Sequence, residues 1–117
     1  MTLRALEPEP VAALDAAIAR AEQVVDPSLL AGIRGRITHI VADGPTPAPP
    51  VDEREAAAYA VIEQMLIDVA GLDDDTVRRA SAMFADGEFA DLVMASYAIE
   101  ARTRLDVTAA RLLGGVG

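Results

Sequence analysis

His39 is the sole histidine among 117 residues and the only side chain whose ordinary chemistry titrates near neutral pH. Alone it could serve as a general base or as a single metal ligand. General acid–base work needs a placed partner, and no partner stands at a motif spacing from it. The simpler reading puts His39 late on a helix, where an imidazole favours the helix C-terminus and caps free carbonyls. Asp73, Asp74 and Asp75 offer hard oxygens of the kind that calcium or magnesium takes. They lack the spacing of an EF-hand loop, and no Glu-x-x-His stands in the chain for a di-iron bundle. Three aspartates just after Gly71 are what an N-cap and a first helical turn look like. No metal ligand and no cofactor site is assigned.

The remaining candidates concern ligands or interfaces. Tyr59, Glu63 and Tyr97 fall where a third and a fifth helix could enclose a pocket. Tyrosines on alanine-rich faces also serve as core residues with a bonded hydroxyl. Glu100 and Arg104 are four apart in the favourable order, and Arg102 and Asp106 in the reverse one. Such pairs contribute about 0.2–0.5 kcal/mol each on a solvated helix. An arginine turned into a cleft would instead grip an anion bidentately. Tyr59, Glu63, Tyr97, Glu100 and Arg104 are therefore the candidate ligand or interface contacts. Ser81 and Ser96 have only one histidine between them for a triad, and no catalytic residue is assigned.

Composition excludes further chemistry. The chain has no cysteine and no lysine, which removes disulfides, thiolate zinc sites, thiol redox steps and Schiff-base catalysis. Ten arginines face 19 acidic residues, and a net charge of −9 repels a phosphate backbone, so no nucleic acid partner is expected. The Gly114-Gly-Val-Gly117 run follows no strand and opens no helix, so it is not a nucleotide loop. No apolar stretch is long enough for a bilayer, and Met1–Pro10 does not read as a signal peptide. The expected location is the cytoplasm, and the arginine-for-lysine, alanine-heavy usage looks bacterial.

What positions these residues is helical. Of the 52% apolar residues a large part is alanine, and only 3% of the chain is aromatic, a balance that favours helices over strands. Glu7-Pro-Glu-Pro marks a helix start, and Val11, Leu14, Ile18, Ala21 and Val25 predict a first helix over about 10–24. Asp26-Pro27 opens a second, with Leu29, Leu30, Ile33, Ile37, Ile40 and Val41 as its apolar stripe. Gly32 and Gly35 interrupt it and mark close approach to another helix. Four prolines within 45–50 make 43–51 an extended connector. Asp52 and Glu55 form a capping box for a third helix that ends near Gly71. Asp73–Asp75 start a short fourth helix, and Asp86-Gly-Glu88 a long fifth one. The expectation is one all-α domain over 1–117, an N-terminal hairpin and three C-terminal helices joined by the connector.

The stretch 51–107 also resembles a known family. Asp52-Glu53-Arg54, Phe84, Glu88 and Arg104 stand in an order similar to the alkylhydroperoxidase D-like branch of the carboxymuconolactone decarboxylase family. Thr103 occupies the place where those proteins usually carry asparagine. Asp26-Pro-Ser-Leu-Leu30 through Arg34-Gly-Arg36 is similar to the segment before the family's active site. The redox branch then carries a glutamate, a C-x-x-C pair and a histidine. Here the corresponding interval, 37–51, is a helix end and the proline connector. The resemblance implies an alkylhydroperoxidase D-like helical subunit that oligomerises, and the missing thiols exclude the disulfide chemistry.

These strands converge on a non-catalytic helical interaction protein. A homodimer or larger assembly is expected, or pairing with a second helical subunit, through the fifth helix and the second-helix stripe. A mean hydropathy of +0.26 in so small a domain leaves apolar residues that the interior cannot take. Two alternatives stand beside it: a carboxylate-based lyase or decarboxylase using Glu63 or Glu100 with an arginine, and a small-ligand binding module.

Overall fold

Aspartate side chains start three of the helices, because they can accept the amides that a first turn leaves unpaired. The computed structural model describes residues 8–113, where α1 (Pro8–Val24), α2 (Pro27–Ala42), α3 (Glu53–Ile67), α4 (Asp74–Ser81) and α5 (Glu88–Leu112) are joined by short links. The chain is an all-α bundle of five helices, with no strand among the described residues. Asp26 accepts from the Ser28 amide at 2.8 Å with Pro27 at the first helical position. Asp52 accepts from Glu55 N at 2.8 Å, and Asp73 from Asp75 N at 3.1 Å. Glu7, read above as part of a helix start, and the Gly114–Gly117 run lie outside the described residues.

The third helix ends at Ile67, four residues before the expected Gly71. Asp68 is the reason. Its side chain accepts from Ala70 N at 3.1 Å, while Gln64 Nε2 donates to Asp68 O at 2.7 Å. Together they draw the chain out of the helix and into a 3-10 turn over Val69–Gly71. The start of α5 needs a glycine. Gly87 has φ of 80°, a left-handed conformation, and an added Cβ would meet nothing within 4 Å. Gly87→Ala is therefore expected to cost about 1 kcal/mol through backbone strain alone. Urea unfolding checks this, and an unchanged midpoint would refute it.

α5 packs chiefly on α1 and α2, while α3 packs mainly on α2 and α4 on α3. Leu92, Ala95 and Ile99 of α5 meet Leu29, Ile33 and Ile37 of α2 and Val61 and Ile62 of α3 in one buried cluster. The α2 stripe is thus spent inside the chain. Leu29, Leu30, Ile33 and Ile37 are buried, which corrects the expectation that this stripe would face another copy. A continuous apolar stripe cannot report whether its own fold or a partner covers it. The glycine reading holds for one position: a Cβ at Gly32 would run into the Tyr59 hydroxyl of α3. Arg102 of α5 reaches Asp15, at the middle of α1, at 3.6 Å and Asp106 at 3.3 Å. Val24 and Asp91 line one shared surface further along, so the two helices run antiparallel.

Candidate functional site

Two places gather side chains of interest, and they lie on different faces of the bundle. The first is built on Arg36. Leu29, Ile33, Arg36 and Ile37 share one face of α2, so the guanidinium is carried into the interior with its apolar neighbours. Only 5% of Arg36 is exposed. A buried guanidinium is tolerable when its N–H groups find acceptors. Arg36 Nε donates to Glu63 Oε1 at 3.1 Å, Nη1 to Gly32 O at 3.1 Å and Nη2 to Ala48 O at 2.8 Å. The guanidinium also lies 3.6 Å above the centre of the Tyr59 ring, in cation–π contact.

Tyr59 extends the network inward. Its hydroxyl donates to Glu55 Oε1 at 3.1 Å. Burial, with the Glu55 carboxylate beside it, pushes the phenol up to about 12, so Tyr59 is a proton donor and not a base at neutral pH. Glu55 is itself buried and accepts from Val51 N at 3.3 Å and Ser28 Oγ at 3.5 Å. The expected capping box forms here, shifted so that Glu55 reaches the residue before Asp52. His39 Nδ1 donates to Gly44 O at 2.9 Å, a second tie on the connector. A cavity of about 270 Å³ remains under the prolines, lined in part by Gly35, Arg36, Pro47, Glu55 and Tyr59. The polar groups around it already bond one another. Their work is to fasten the connector across α2 and α3.

The second place is a groove between α1 and α5, about 650 Å³ in volume. Leu14, Ala17, Ala21 and Val24 recur along one wall at three- and four-residue steps, and Met94, Ala98 and Ala101 along the other. Met94 is 66% exposed, Tyr97 49% and Val24 43%, so three large side chains stand open on one surface. Arg20 edges the α1 wall, while Asp91 and Glu100 edge the α5 wall. Neither Arg20 nor Asp91 has an ion-pair partner among the described residues. The groove has the size of a small-ligand site and the shape of a helix seat.

The five candidates therefore divide. Tyr59 and Glu63 converge on Arg36 at the connector, whereas Tyr97 and Glu100 line the groove. Arg104 pairs with Glu100 at 3.5 Å. Tyr97 meets α3 only in a crevice of about 10 Å³, so the three residues expected around one α3–α5 pocket do not share one. Arg36 is the residue that sequence reasoning missed, although a charged residue in register with an apolar stripe was a visible signal. A third cluster ties helix starts together: Arg54 bonds Glu88 at 2.9 Å and lies 4.6 Å over Phe84, whose ring is 5.3 Å from Phe89. Asp73 caps α4 and Asp75 pairs with Arg78 at 2.8 Å, and no group of three acidic or histidine ligands among the described residues could hold a metal ion. No described helix is long and apolar enough to cross a membrane. Compared with known proteins, the chain matches no family model, no curated protein and no solved structure.

Proposed function

We propose that this chain is a non-catalytic helical interaction protein that associates with a second copy of itself through the α1–α5 groove. The observation that carries the reading is Val24, Met94 and Tyr97 lying open on alanine walls. Alanine lets another helix approach closely, and the three large side chains lose water when it does. A contiguous apolar surface rimmed by polar residues is the usual mark of a contact site. With a cation on one wall and acids on the other, the surface also complements itself. The likeness to alkylhydroperoxidase D-like proteins supports the same role, a helical subunit of an oligomer, without peroxide chemistry.

Met94→Glu tests it. The wild-type mass in sedimentation equilibrium is expected to rise above the 12.3 kDa monomer with concentration, while the variant stays near that value. A glutamate at the centre of the contact would bury a charge without a partner. Wild-type protein that is monomeric at every concentration sinks the reading, and so does a variant that assembles unchanged. A second reading has one observation behind it, since the groove volume also suits a small molecule and Glu100 faces Arg104 at its rim. A small molecule retained in native mass spectra, released on Met94→Glu, would favour that binding role. Turnover of such a molecule, lost in Glu100→Gln, would extend it to carboxylate lyase chemistry.

A further inference from the structure

The groove also specifies how two copies would meet, an inference that rests on the self-association just proposed. The register of α1 on α5 follows from Asp15 standing opposite Arg102. Five residues along α1 from Asp15 is Arg20, and five back along α5 from Arg102 is Tyr97. Arginine side chains on a helix lean toward its N-terminus, which brings the Arg20 head level with Glu100. The cation and the acid thus sit at one height on opposite walls. Asp91 lies further along the acidic wall.

A twofold dimer can close this groove in two ways. If the axis runs across the helices, α1 stacks on α1 and α5 on α5. With the axis at the height of Arg20, Arg20 then falls beside its own copy, and Glu100, at the same height, beside its own. Both contacts set like charges together. If the axis runs along the helices, α1 of each copy lies on α5 of the other. Arg20 then meets the Glu100 wall, and the symmetry makes the contact twice. We infer that the dimer takes the second arrangement, with Arg20 of each copy bonded to Glu100 of the other. Glu100 holds Arg104 through Oε2 at 3.5 Å, which leaves its other oxygen for Arg20.

Charge reversal in separate chains tests the arrangement. Arg20→Glu and Glu100→Arg are prepared singly, and each alone sets two like-charged pairs across the dimer. Each is expected to weaken self-association roughly tenfold, since two rim pairs change from attraction to repulsion. An equimolar mixture should recover wild-type affinity, because the heterodimer restores both pairs. Recovery also shows that each variant is folded. If Met94→Glu abolishes the dimer while the mixture gains nothing over its components, the groove reading stands and the arrangement is overturned. A wild-type protein that never associates overturns both.

Discussion

Replacing Arg36 with methionine is expected to lower the unfolding free energy by about 2–3 kcal/mol, a large share of the roughly 5–15 kcal/mol that small domains possess. Methionine keeps much of the volume but none of the donors. Ala48 O loses its bond to α2, Glu63 loses its counter-charge, and the Tyr59 ring loses the cation above it. The cost stays below that of a fully buried broken pair because Glu63 is 44% exposed and can be rehydrated. Arg36→Lys should recover less than half of the loss. One ammonium cannot reach Glu63, Gly32 and Ala48 together as a planar fork does. Urea unfolding supplies the energies, and hydrogen exchange at the Val51 amide reports whether the connector loosens. A loss under about 0.5 kcal/mol in Arg36→Met would refute the anchoring role.

Raising the pH from 10 to 12 should destabilise the protein, with Tyr59 as the principal cause. Its hydroxyl titrates near 12 in the folded chain, against an ordinary value of 10. The unfolded chain therefore loses this proton first, so stability is complete below pH 10 and falls as pH rises toward 12. Two units correspond to about 2–3 kcal/mol across that interval. Composition makes the measurement unusually clean. With no lysine and no cysteine, Tyr59 and Tyr97 are the only side chains whose ordinary values lie in this range. Tyr59→Phe should remove most of the alkaline decline. Parallel declines in wild type and Tyr59→Phe would show that the phenol is not held protonated by its surroundings.

Much of the architecture was legible because its causes are local. Asp26, Asp52 and Asp73 cap the helices they were read to cap, since a short carboxylate and the next amides are neighbours in sequence. The prolines at 45–50 break the helix wherever they occur. Gly71 and Asp68 can both terminate α3, and only the Gln64–Asp68 bond shows that Asp68 acts first. His39 bonds the Gly44 carbonyl of the connector, two residues past α2, and not a carbonyl of its own helix as its position suggests.

The candidate site was legible only in part. Glu100 and Arg104 are partners by spacing, and the helix brings them together without help from the rest of the chain. Tyr59 and Glu63 could not be assigned to Arg36, because their contact joins two helices across 23 and 27 residues of sequence. The groove was even less visible. Leu14, Ala17, Ala21 and Val24 look like any buried stripe, and whether a stripe is covered depends on where the other helices end.

By itself, then, the amino-acid sequence determined an all-α chain, the caps and breaks of its helices, its acidic charge and the absence of thiol and lysine chemistry. These are properties of residue types and of groups a few positions apart. The tertiary structure decided that Arg36 is an internal fastening, that the α2 stripe is consumed by the core, and that the α1–α5 face stays open. Those outcomes depend on which helix faces meet, and burial removes one apolar stripe from water while leaving a similar one exposed.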